Sequence, residues 1–212
     1  MNRIIRNFVV FEGGDGSGTT TQLSLLEKRL AGAPGGPVFY PTFEPTGGPV
    51  GKLVRSALKK ETSLLPETLA RLFAADRAEH LFAPDGILDR CGRGELVVSD
   101  RYALSSLVYQ GIECGDELPR LLNASFPLPE LLFFFDIDPE IAHRRLQNRP
   151  VREIYEYPEF QQRVREKYKA LLGGYEKAGV RVELIDAAKS AGDAAEDVWR
   201  ALAACCTCGF FA

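Results

Sequence analysis

The stretch from Asn7 to Gln22 constrains the fold more than any other. Asn7-Phe8-Val9-Val10-Phe11-Glu12 is a short β-prone run, and it passes without a linker into Gly13-Gly14-Asp15-Gly16-Ser17-Gly18. A helical stretch opens at about Thr20. Four glycines in six residues are more than a turn needs, and Gly13 and Gly18 have the G-x-x-x-x-G spacing of a phosphate loop. In such a loop the backbone curls so that successive N–H groups face one anion, and the helix N-terminus adds its positive end. Thr20 takes the place of the Mg²⁺-ligating hydroxyl, whereas Thr19 stands where the pattern has lysine. Gly13, Gly14, Asp15, Gly16, Ser17, Gly18, Thr19, Thr20 and Thr21 are therefore expected to bind phosphate through the backbone, without the usual point charge at the β- and γ-phosphates. An ordinary glycine-rich strand-to-helix turn is the competing reading.

The remaining segments alternate between apolar strand-like runs and amphipathic helices. Strands are expected at 37–40, 95–100, 131–136 and 180–185, after the first at 7–12. Helices are expected at 20–30, 50–60, 66–82, from 105 onward, at 139–147, 158–177 and 191–204. Strands that are nearly continuously apolar and separated by helices indicate a parallel sheet covered on both faces. The expectation is an α/β chain folded as a three-layer α/β/α sandwich with a five-stranded parallel sheet, forming one domain over 1–212.

Composition narrows the function. With 29 acidic and 26 basic residues the net charge is −3, which argues against a protein whose main task is to coat nucleic acid. No apolar run approaches the ~20 residues that span a bilayer. The longest, Leu131 to Phe135, has strand length. The N-terminal residues lack a signal peptide's apolar core, so a cytoplasmic protein is expected. Five cysteines include three in the tail 205–212, at Cys205, Cys206 and Cys208. A closed zinc site wants four ligands, and no second Cys or His cluster supplies the fourth. The tail reads as a frayed, oxidisable end.

Further motifs follow in order. Glu44-Pro45-Thr46-Gly47-Gly48 precedes a helix, and Phe73 and Arg77 lie four apart on one helical face in Leu72-Phe73-Ala74-Ala75-Asp76-Arg77. Asp100-Arg101-Tyr102 directly follows the strand Leu96-Val97-Val98 and leads to Ser106, Tyr109, Gln110 and Gly111. The segment 144–157 holds four arginines in nine residues, Arg144, Arg145, Arg149 and Arg152. Each motif has a plain alternative: a loop, a core Phe with a solvated Arg, a surface ion pair, a solvated basic helix end.

Together, from about residue 7 to 190, these motifs resemble the bacterial thymidylate kinases, the P-loop enzymes that phosphorylate dTMP. The resemblance implies the nucleotide-kinase type of P-loop fold, with 144–157 as a lid. It implies that Asp15, Glu44, Pro45, Phe73, Arg77, Arg101, Ser106, Tyr109 and Gln110 bind dTMP. In it Asp15 meets the 3′-hydroxyl, Phe73 stacks on thymine, Arg77 contacts the base and Arg101 holds the phosphate. Asp100 would organise the Mg²⁺ shell through water, with Thr20 as the other metal residue. It also implies ATP as co-substrate, a homodimer, and a role in dTTP synthesis. Two cations of the family pattern are missing, at Thr19 and Ile154, and Phe43 stands where Glu44 is usually preceded by arginine. A lid arginine, Arg149 or Arg152, is expected to supply the charge. Catalysis would reside in Arg101, Arg149, Arg152 and Asp100. Another nucleoside monophosphate kinase, and a degenerate P-loop protein that binds nucleotide without turnover, remain open.

Overall fold

A computed structural model describes residues 3–32, 35–147, 154–155 and 157–205. Along the chain come β1 (Ile4–Gly13), α1 (Thr19–Ala31), β2 (Phe39–Phe43), α2 (Pro49–Leu58), α3 (Pro66–Phe82), α4 (Ile87–Gly92) and β3 (Leu96–Asp100). Then follow α5 (Ala103–Glu113), α6 (Glu117–Asn123), β4 (Leu128–Asp136), α7 (Pro139–Leu146), α8 (Pro158–Lys177), β5 (Arg181–Asp186) and α9 (Ala191–Cys205). The five strands form one parallel sheet in the order β2-β3-β1-β4-β5. This is the P-loop nucleotide-kinase α/β fold. Among the described residues no helix is long and apolar enough to cross a membrane.

The central strands are apolar on both faces because both faces are covered. Successive strand residues point to opposite sides. Phe11, Val98, Phe133 and Phe135 pack with Leu23 and Leu26 of α1 and Val198 and Leu202 of α9. Leu132 and Phe134 turn the other way, onto Val54 of α2, Val108 of α5 and Tyr168 of α8. Phe8, Val10 and Val97 meet Leu81 of α3 and Ile87 of α4. Each fully buried Phe or Leu of this kind contributes about 1.5–3 kcal/mol.

The strands differ from expectation at their ends. β1 starts at Ile4, not Asn7, because Asn7 takes a left-handed φ of 62° and the pairing with β4 shifts register there without stopping. Asn is among the few non-glycine residues that visit this region readily. β2 runs over Phe39–Phe43 rather than 37–40. It lies at the sheet edge, where Pro41 can sit in a strand without breaking a ladder. α4 and α6 were not expected, since at 6 and 7 residues they show too little period to stand out from loops.

One register feature builds the site. Phe11, Asp100 and Phe43 occupy a single row across β1, β3 and β2. The next residues, Glu12, Arg101 and Glu44, therefore stand at one level at the carboxyl edge, where Arg101 and Glu44 have left the sheet and Glu12 still pairs with Phe134 of β4. Two further bonds, from Arg101 N to Phe11 O at 2.8 Å and from Glu44 N to Asp100 O at 3.0 Å, tie these exits together. Ligands of open α/β sheets bind at this carboxyl edge, where the strand order reverses.

Candidate active site

A cavity of about 840 Å³ opens at that edge and runs along the whole loop from Gly14 to Gln22. Its size suits small-molecule binding. The loop closes with Ser17 N donating to Gly14 O at 3.2 Å, and Gly18 takes a φ of 93° before α1 begins. Gly16 has no room for a side chain, because a Cβ there would lie 2.8 Å from the Ala142 carbonyl oxygen of α7. Thr19, in the lysine position, is the first residue of α1 and only 6% exposed. The glycine-rich loop is thus wrapped on an anion-sized curve, but it carries no cation of its own.

Thr20 Oγ1 donates to Asp100 Oδ2 at 2.5 Å. The other carboxylate oxygen, Asp100 Oδ1, is buried with no partner among the described residues, as is Ser17 Oγ. A hard cation takes oxygen ligands and keeps several of its waters. A hydroxyl beside an unpartnered carboxylate oxygen at a phosphate loop fits that demand, so Thr20 and Asp100 suit Mg²⁺.

Arg101 stands at the centre of the cavity. Its backbone is left-handed, with φ 72°. Nη2 donates to Asp15 Oδ1 at 2.6 Å, and Nη1 reaches Ser105 Oγ at 3.3 Å and Tyr109 Oη at 3.4 Å. The ion pair therefore joins Arg101 to the loop and not to its neighbour Asp100, which removes the reading of Asp100-Arg101 as a surface pair. Asp15 is held from behind as well, because Gln161 of α8 donates to Oδ2 at 2.8 Å and accepts from the Asp15 N–H at 3.0 Å. Burial pushes the Tyr109 phenol above its ordinary range.

The far end of the cavity is lined by Glu44, Pro45, Phe73, Arg77, Ser106 and Gln110. Arg77 is not solvated: its side chain is 1% exposed and pairs with Glu44 at 2.7 Å. Its Nε also donates to Glu44 Oε2 at 2.9 Å, Nη2 to Ser106 Oγ at 3.1 Å, and Nη1 to Asn123 Oδ1. His80 joins Glu44 Oε1 at 3.1 Å to Thr42 Oγ1 at 2.6 Å. An aromatic face and a guanidinium fork converge there, an arrangement that suits a flat base with carbonyl acceptors.

The remaining cations of the cavity wall are Arg55, Arg145 and Lys189. Arg55 of α2 lies 5.1 Å over the Phe43 ring and donates to the Pro45 carbonyl. A guanidinium is thus present beside Phe43 although the residue itself is not arginine. Lys189 pairs with Asp197 at 2.7 Å. Arg145 of α7 reaches the Gly16 carbonyl at 3.5 Å, and no carboxylate among the described residues engages it. Ile154 packs with the apolar cluster beneath α8, and its N–H donates to Leu58 O at 3.1 Å. Arg149 and Arg152, the two expected lid arginines, lie outside the described residues, as do Cys206 and Cys208 of the tail.

Every other residue expected at the site lines this cavity or the loop beneath it. Several residues there had no expected role. Gln161, Asn123 and His80 come from distant helices, and no local motif marks them. Glu12 had a signal: it is a charged side chain ending the apolar run Phe8 to Phe11, directly before the glycines. It is fully buried and accepts from Tyr102 N at 3.0 Å, Ser105 N at 3.2 Å, Ser105 Oγ at 2.6 Å and Tyr168 Oη at 2.8 Å. Burial pushes its carboxyl up to about 7, against the pull of Ser105 and Arg101.

Comparison with known proteins agrees with this geometry. The family model for thymidylate kinase matches residues 11–198. A Treponema pallidum protein named "Putative thymidylate kinase" is 46% identical over 79% of this chain and 80% of its own length. An Aeropyrum pernix protein of the same name is 39% identical over 92% of this chain and 96% of its own. A "Probable thymidylate kinase" of Pyrobaculum aerophilum is 40% identical over 90% and 93%. By sequence and by the architecture of its phosphate-loop site, the chain belongs to the thymidylate kinase family.

Proposed function

We propose that this kinase transfers the γ-phosphoryl group of ATP to dTMP, giving dTDP for dTTP synthesis. The observation that carries the reading is one continuous cavity with a phosphate loop at its middle. The Phe73 and Arg77 end would take thymine. The opposite end, at Ala187, Lys189 and Ala191, would take the donor nucleoside. Two nucleotides entering from the two ends meet phosphate to phosphate over Gly13 to Thr20.

In the transfer, a dTMP phosphate oxygen bonds to the γ-phosphorus in line while the bond from that phosphorus to the β-bridging oxygen breaks. The attacking phosphate is already anionic, so no strong general base is required. Catalysis is positioning and charge neutralisation. Arg101 would grip the dTMP phosphate as a fork, with Asp15 released to the sugar hydroxyl. Thr20 and Asp100 would hold Mg²⁺, which supplies charge neutralisation on the donor phosphates. A homodimer goes with this proposal on the strength of the resemblance.

The direct test is ADP release from Mg-ATP with dTMP, dUMP, dCMP and dAMP as acceptors. Turnover is expected with dTMP, ahead of the other three. Saturable nucleotide binding without turnover of any acceptor would leave a binding protein and end the kinase reading.

The charge missing at Thr19 would come from the arginine-rich segment. Arg145, already at the Gly16 carbonyl, joins Arg149 and Arg152 as its source. Because neighbouring arginines can share the load, each single Arg→Ala change is expected to lower kcat by about 10-fold to 100-fold. If Arg145→Ala, Arg149→Ala and Arg152→Ala all turn over dTMP like the parent, that compensation is abandoned.

A further inference from the structure

Glu12 is the last side chain of β1 before the glycines, and it is fully buried. A carboxylate in that position is costly unless it is bonded on all sides. Its donors come from two other elements. Tyr102 N, at the N-cap of α5, and Ser105 N, in its first turn, both donate to Oε1. No residue local to α5 caps that helix, so the strand supplies the cap from across the fold. Ser105 Oγ and Tyr168 Oη of α8 donate to Oε2.

Arg101 lies inside this frame. The N–H on its own peptide is fixed by Phe11 O, and the N–H of the following peptide by Glu12. Consecutive β1 residues thus clamp both sides of a non-glycine residue at φ 72°. Such a conformation persists only where its surroundings over-determine it. The Ser105 hydroxyl bound to Glu12 is also 3.3 Å from Arg101 Nη1, so the carboxylate orders the guanidinium through one intermediate.

We propose that Glu12 is a positioning residue for the phosphate of the acceptor: it holds the left-handed turn and Ser105 so that the Arg101 fork faces the cavity. The proposal rests on the reading of the cavity as a dTMP site, and it assigns Glu12 to acceptor phosphate binding alone.

The test compares dTMP with thymidine, which lacks only the phosphate, by titration calorimetry on the full chain. The parent is expected to bind dTMP much more tightly than thymidine. In Glu12→Gln the size is kept and one carboxyl oxygen becomes an amide nitrogen, from which the Ser105 and Tyr168 hydroxyls can turn to accept. That variant is expected to lose about 10-fold or more of its dTMP affinity, with thymidine affinity unchanged within about twofold. The KM for dTMP should rise by the same factor while the KM for ATP stays. Ser105→Ala, which removes the hydroxyl link and keeps the backbone cap, should give a smaller loss in the same direction. A loose fold would weaken both ligands together. A dTMP-to-thymidine ratio in Glu12→Gln equal to the parent's overturns the proposal, as does an unchanged ratio in Ser105→Ala should Glu12→Gln not fold. A parent ratio near one overturns the dTMP reading itself, a result separable from either variant's.

Discussion

Arg101→Ala is expected to lower kcat/KM for dTMP on the order of 10³-fold with the fold intact. The effect is large because the guanidinium is the central cation of the cavity and largely enclosed, at 21% side-chain exposure. In so enclosed a site a forked pair to phosphate is both strong and directional. In the free protein Asp15 occupies one arm at 2.6 Å. An incoming phosphate therefore replaces one anionic partner of the guanidinium by another, while Asp15 keeps the Gln161 amide and turns to the sugar hydroxyl. Arg101→Lys keeps the charge and loses the fork, so it should recover only part of the rate. Stability moves differently. The left-handed φ of 72° costs a non-glycine residue roughly 1–2 kcal/mol, so Arg101→Gly should be at least as stable as Arg101→Ala although equally inactive. Steady-state kinetics with dTMP varied, beside thermal unfolding of the three variants, checks both halves. Rates within about fivefold of the parent would take Arg101 out of phosphate binding.

What could be read from sequence has a physical pattern. The phosphate loop was legible because its function is written in local backbone grammar, a strand, glycines and a helix start within one short stretch. β3 and β4 were legible because buried parallel strands must be apolar on both faces. β2 was displaced because its edge position tolerates Pro41, which sequence alone reads as a stop. The network under the base end was not legible. Glu44, Arg77 and Asn123 are far apart in sequence and come together only through the packing of β2, α3 and α6. Gln161, which orients Asp15 from 146 residues away, has no local mark at all. The two departures from the family pattern also differ in kind. Thr19 leaves the backbone cradle whole and removes only a charge. Ile154 has become part of an apolar cluster, so its side chain serves the packing of 154–155 against α2 and α8.

The largest stability effect is expected at that base-end network. Arg77 and Glu44 have side chains 1% and 3% exposed, and their pair is closed off from solvent screening. Taking away one partner strands the other charge in the interior, a loss of about 3–5 kcal/mol for buried pairs. Against a total stability of roughly 5–15 kcal/mol, that is about a fifth or more of what holds the fold. Glu44→Ala should sit at the upper end, because Arg77 would keep only the neutral oxygens of Ser106 and Asn123. Arg77→Met leaves Glu44 with His80 as its remaining charged-capable neighbour, at 3.1 Å. The double variant Glu44→Ala with Arg77→Met should cost clearly less than the sum of the two singles, since it removes both charges at once. Urea unfolding of the singles and the double closes the cycle. The exposed pair Arg29–Glu196, at 38% and 59% side-chain exposure, is the control, and breaking it should change little. Additive single effects would mean that Arg77 and Glu44 do not depend on each other. The base end would then be held by the hydroxyl and amide contacts of Ser106 and Asn123, and Glu44→Ala should leave the preference for dTMP over dUMP and dCMP untouched. Strong coupling predicts the opposite, a variant that unfolds more easily and also discriminates poorly among the three bases, because one buried pair sets both the stability and the shape of that pocket.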